Sequence, residues 1–104
     1  MKLTVLERIT LLAVLPSEGS LVTLKVVRKL REDLSFNEKE IAELKFVETA
    51  GQIKWEAGVE PPDGTEIGIG EKATDLIVER LKTLDREQKL KDNHLSLCEK
   101  FGVA

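Results

Sequence analysis

Between Leu44 and Glu56 the spacing of apolar residues changes from three-and-four to two, and it changes back after Gly70. No single element tolerates both periods. A helix cannot use the alternation of "QIKWE", and a strand cannot use the 3.6-residue stripe of "LVTLKVVRKLREDL". The chain is therefore expected to be α+β, with a small antiparallel sheet inserted between two helical groups. "LKFVE" and "QIKWE" flank "TAG", a tight hairpin turn in which Gly51 supplies positive φ. Ile53 and Trp55 fall on one face and Lys54 and Glu56 on the other. "AGVEPPDG" reads as a loop with a turn at Pro62-Asp63-Gly64, and "TEIGIG" as a third strand pointing Ile67 and Ile69 the same way.

Three helices are expected before the sheet. Thr4 and Glu7 have capping-box spacing, and "ITLLAVL" behind them is apolar on nearly every face, the pattern of a central buried helix. Pro16 ends it and "PSEGS" turns the chain. Ser20 caps a second helix whose Val26, Val27, Leu30 and Leu34 form one stripe, opposite Lys25, Arg28, Lys29 and Glu32. Ser35 and Glu38 repeat the capping spacing and open a short third helix to about Leu44, with Ile41 and Leu44 as its apolar side. After the sheet, Ala73, Ile77, Leu81 and Leu84 make the inner face of a fourth helix. Asp92 or Asn93 then caps a short last one, about residues 93–101. A single domain over 1–104 follows, with an expected core of Leu6, Ile9, Leu12, Ala13, Val27, Leu30, Ile41, Ile53, Trp55, Ile77, Leu81 and Leu84.

Three helices, a hairpin and a further helix resemble a winged helix-turn-helix, and "IGIGEKATDLIVERLKTL" resembles the last wing strand and following helix of MarR- and PadR-like regulators. Glu71-Lys72 stands where those proteins carry "T-E-K-G", with Gly70 for Thr and Ala73 for Gly. Over its length the chain also resembles small uncharacterised proteins of bacteriophages and prophages, through "ERITLLAVLPSEG", "TLKVVRKLREDLSFNEKE", "IGEKATDLI" and "HLSLCEKF". That resemblance implies a phage setting, hence a bacterial host cytoplasm, and no activity.

Charge qualifies the DNA-binding reading. Residues 1–34 carry +2, residues 35–70 carry −5, and the last third is balanced. "LSFNEKEIAEL" sits where a helix-turn-helix keeps its reading helix, yet holds three glutamates against one lysine. Phosphate contacts by Lys and Arg supply most non-specific DNA affinity, so the acidic stretch 35–70 opposes it. The one concentrated basic feature is Lys25, Arg28, Lys29 and Arg31. It is either a solvated helix face or a docking patch for an acidic partner, nucleic acid included.

Chemistry is sparsely provided. His94 and Cys98 have the i, i+4 spacing of metal ligands, but no other His or Cys completes a set, and Cys98 fits an apolar seam with Leu95 and Phe101. "GIGEK" fails the phosphate-loop spacing, because Glu71 precedes Lys72 and Ala73 replaces Ser/Thr. With no Tyr, one His and one Cys, catalysis would rest on carboxylates that nothing isolates from the general acidity. No catalytic residue, metal or cofactor is expected. The run "LLAVL" is too short to span a bilayer, and charges interrupt the N-terminal apolar stretch that a signal peptide would need, so a cytoplasmic protein is expected. The expectation is a protein-interaction module, docking or self-associating through Leu95, Leu97 and Phe101 on the last helix. The alternative is a winged-helix DNA-binding regulator.

Overall fold

The computed structural model describes residues 1–61 and 64–103. It is α+β, in the order β1 (Lys2–Leu3), α1 (Val5–Val14), α2 (Leu21–Leu34), α3 (Glu38–Leu44), β2 (Val47–Thr49), β3 (Gln52–Lys54), β4 (Thr65–Glu66), α4 (Glu71–Arg86) and α5 (Leu95–Lys100). Short 3-10 turns at Ala57–Val59 and Asp92–His94 complete it. Pro62 and Asp63, expected to turn with Gly64, lie outside the described residues.

The strands form two separate antiparallel pairs. β2 and β3 make the expected hairpin, with Glu48 opposite Ile53 and Thr49 opposite Gln52. Its two-residue turn has Ala50 at φ 51° and Gly51 at φ 77°, the double positive φ that matches strand twist in tight hairpins. β4 does not extend this hairpin. It pairs with β1, Leu3 opposite Thr65, and the Ile67 N–H donates to the Met1 carbonyl. Gly64 makes that pairing possible: at φ 88°, any Cβ it carried would clash with the Leu3 carbonyl and crowd the Thr4 nitrogen.

α1 starts at the expected capping box, Thr4 accepting from the Glu7 N–H and Glu7 from the Thr4 N–H. Glu60 also accepts from the Val5 N–H, which satisfies another of the orphan donors at the helix start. α3 begins differently from expectation. The box is Asn37 with Glu40, and Ser35 instead closes α2, its N–H donating to the Arg31 carbonyl. Both spacings exist in "SFNEKE"; the later one leaves Phe36 outside the helix, free to turn inward. Neither Asp92 nor Asn93 caps α5 through its side chain. The Lys91 N–H is instead taken by His94 Nδ1.

The core gathers Leu3, Leu11, Val14 and Leu15 with Val27, Leu30 and Leu34, then Ile67, Ile77, Leu81, Leu97, Cys98 and Phe101. Val27, Leu30, Ile77 and Leu81 lie where the stripes place them. Ile9, Leu12, Trp55 and Leu84 are only half-buried, and Leu6, Ala13, Ile41 and Ile53 are exposed. The cause is that α1 is not a uniformly apolar rod. Glu7 and Arg8 occupy buried sides of it, while Leu6 and Ala13 face outward. Ile41 and Ile53 stay uncovered because α3 and the detached hairpin face α1 across an open groove. α5 is likewise corrected: Leu97 (0% exposed) and Phe101 belong to the core, and only Leu95, 56% exposed, is available at the surface. The interface expected on that helix is in fact its packing face.

Candidate functional site

Two charges inside α1 organise the rest. The Arg8 side chain is 2% exposed. A guanidinium so placed must spend its donors on protein. Nε donates to the Leu34 carbonyl at 3.1 Å, Nη2 to the Ser35 carbonyl at 2.7 Å, and Nη1 pairs with Glu40 at 2.5 Å. Its plane lies over the Phe36 ring, 4.0 Å from the centroid. Phe36 meets Phe46 edge-on at 5.0 Å, and Phe46 tilts against Trp55 at 6.3 Å. One buried cation thus ties the end of α2, the start of α3 and the base of the hairpin to α1. Trp55 Nε1 has no hydrogen-bond partner among the described residues. The signal for this cluster was present in the sequence: a charge inside an otherwise apolar helix has to find a partner.

Glu7, on the other buried side, accepts from Lys100 at 2.6 Å, and Lys100 also donates to the Lys2 carbonyl. This pins α5 across α1 and β1.

In front of the Arg8 stack the surface opens into a groove of about 750 Å³. Ile9, Leu12 and Ala13 form one wall, Ser35, Phe36 and Ile41 the end of α2 and α3, and Phe46, Val47, Glu48 and Ile53 the hairpin wall. Ile41 is 50%, Val47 55% and Ile53 48% exposed, a concentration of branched aliphatics in one concave surface. Scattered exposed apolar residues are ordinary, but a continuous apolar trough is not. The residues expected to close a core between α1, α3 and hairpin therefore line an open groove.

The basic stripe does not act as one patch. Lys25 and Lys29 lie beside Asp33, Glu66, Glu71 and Lys72 in an open depression at the start of α4, and Lys29 is paired with Asp33 at 2.8 Å. Arg28 and Arg31 face the other way, lining a small depression with Pro16, Ser17 and Leu24 beside the α1–α2 turn. α3 presents Glu38, Lys39, Ala42 and Glu43 to solvent. Among the described residues, no three of His, Cys, Asp and Glu are grouped to hold a metal. No helix among them is long and apolar enough to cross a membrane. Cys98 is buried, which raises its thiol pKa and keeps it a packing residue.

The buried charges make stability depend on pH. Burial alone would raise the Glu7 carboxyl, but the Lys100 ammonium, the Thr4 N–H and Ser96 outweigh it and hold it below its ordinary value; the Arg8 guanidinium holds Glu40 below its own. Burial, with the nearby Lys91 charge, lowers His94. In all three cases the unfolded chain takes up protons first as pH falls, so stability is lost toward acid. Loss should begin below the ordinary imidazole value of 6.5 and deepen below the carboxylate value of 4.5. His94→Asn, which keeps an acceptor for the Lys91 N–H, should remove the upper step in urea midpoints measured against pH. A wild-type midpoint unchanged from neutrality through the imidazole range would contradict this.

Comparison with known proteins finds no significant match to any family model, curated protein or solved structure.

Proposed function

We propose that this chain is a small non-catalytic interaction module, and that its apolar groove takes an apolar segment of another protein chain. The groove between α1, α3 and the hairpin carries the reading, because three exposed aliphatics converge there around a built aromatic floor. Such troughs receive apolar side chains presented at helical or strand spacing, with a polar rim setting orientation. The resemblance of the sequence to small phage and prophage proteins supports a setting in a bacterial host's cytoplasm. A photo-cross-linking residue placed at Val47, compared with one at the exposed Lys82 of α4, tests the reading in cells that produce the protein. A protein adduct specific to Val47 is expected. Equal labelling from both positions, or none, would overturn it.

One observation favours a DNA-binding regulator of winged-helix type: α2, α3 and the β2–β3 hairpin follow one another in the order that such a fold requires. Against it stand the exposed Glu38 and Glu43 on α3 and the neutralised surroundings of Lys29. Random duplex should not be retained at micromolar protein in physiological salt. Retention that falls steeply with salt, and that Arg28→Glu weakens far more than Lys39→Glu, would put this reading first.

A further inference from the structure

We infer that the occupant of the groove is a second copy of this chain, docked face to face about a two-fold axis. The inference rests on the docking reading above and adds the identity of the partner.

The groove is the middle of a longer face. On α1, Ile9, Leu12 and Ala13 fall at i, i+3 and i+4, a single stripe, and Pro16 follows in the turn beyond the helix end. On α2, Leu24, Arg28, Arg31 and Ser35 fall at i, i+4, i+7 and i+11, again one stripe. Ser35 lines the groove with Ile9, whereas Leu24, Arg28 and Arg31 line the neighbouring depression with Pro16. The two stripes therefore run side by side in opposite directions, and together they carry the face from the hairpin to the α1–α2 turn.

Charge along this face is polarised. The α1–α2 side ends in Arg28 and Arg31, both exposed and in no ion pair among the described residues. The α3–hairpin side carries Glu48, which lines the groove, and Glu38, one turn before Ile41 on α3. Both carboxylates are exposed, and with Glu43 and Glu56 they outnumber the exposed Lys39, Lys45 and Lys54, so this side is net negative. A face that is apolar in the middle, positive on one side and negative on the other is complementary to itself after a half-turn. Rotation by 180° about an axis lying in the interface, perpendicular to the line from the arginines to the carboxylates, sets the arginines of each copy against the carboxylates of the other. The same rotation lays the Val47–Ile53 hairpin wall of each copy along the α1–α2 side of its partner, beside the groove. Every contact then occurs twice, as in an isologous dimer. A partner chain of uniform charge would satisfy only half of this rim. The charges orient the encounter, and the apolar groove supplies the lasting contact.

Sedimentation of the full chain from about 1 µM to about 1 mM, a span covering moderate and weak association, tests the inference. The wild-type chain should form a dimer that tightens at low salt. Val47→Lys, with its fold checked by circular dichroism, should raise the dissociation constant at least about tenfold, a loss of about 1.4 kcal/mol of association energy. Arg28→Glu with Arg31→Glu should weaken the dimer, as should Glu38→Arg with Glu48→Arg. All four together should restore it, because both rims change sign. A monomer throughout the range, or a dimer indifferent to Val47→Lys and to both charge reversals, overturns the second-copy inference. A Val47 cross-link to a different protein in cells would then leave the docking reading standing. A monomer with no Val47 adduct removes both.

Discussion

Glu40→Ala is expected to destabilise the folded chain by about 3–5 kcal/mol, measured by urea denaturation at neutral pH. The substitution deletes one exposed-side carboxylate from a short helix, which would ordinarily cost a few tenths of a kcal/mol. Here it leaves the Arg8 guanidinium, 2% exposed, with two carbonyls and an aromatic face but no counter-charge. It also removes the acceptor for the Asn37 N–H at the start of α3. Breaking a buried pair from one side costs more than the pair contributes, because the remaining ion keeps its desolvation penalty. Arg8→Met with Glu40→Ala should therefore recover part of the loss, by removing the stranded charge and keeping much of its volume. If Glu40→Ala melts within about 0.5 kcal/mol of wild type, the range of ordinary surface substitutions, the Arg8 cluster does not organise the fold as described.

Removal of residues 93–104 is expected to abolish cooperative folding. The segment supplies Leu97, Cys98 and Phe101 to the core and Lys100 to the Glu7 carboxylate. Domains of this size have net stabilities of roughly 5–15 kcal/mol. Leu97→Ala alone should cost about 2–5 kcal/mol, since its side chain is fully buried. Loss of the whole segment exposes the faces of α1 and leaves Glu7 buried without its ammonium. Far-ultraviolet circular dichroism with a thermal melt decides it. A truncated chain that still unfolds in one sharp transition would show α5 to be an appendage.

Much of the architecture was legible in the sequence because period and capping are local properties. The switch at Leu44 located the hairpin, and Val27, Leu30, Ile77 and Leu81 announced buried faces through their spacing. β1 was not legible: a two-residue strand has no period, and its partner Thr65–Glu66 lies more than sixty residues away. The groove is not legible for a related reason. Ile9, Leu12, Ile41 and Ile53 show the periodicity of inner faces, and periodicity identifies an apolar side without saying what covers it. The partners of Arg8 are not legible in "VLERITLLAV", because they lie on other elements more than twenty residues away. That single cation is what joins α1 to α2, α3 and, through Phe36 and Phe46, to the hairpin.

The aliphatics between α1, α3 and the hairpin form an open face and not a closed core. The denaturation midpoint of Ile41→Lys with Ile53→Lys, measured at a protein concentration low enough to keep the chain monomeric, tests it most directly. Both side chains are about half exposed, so the pair should keep its unfolding free energy within about 1 kcal/mol of the wild-type monomer. A loss of several kcal/mol, the cost of burying unpaired ammonium groups, would show that these residues close into the core.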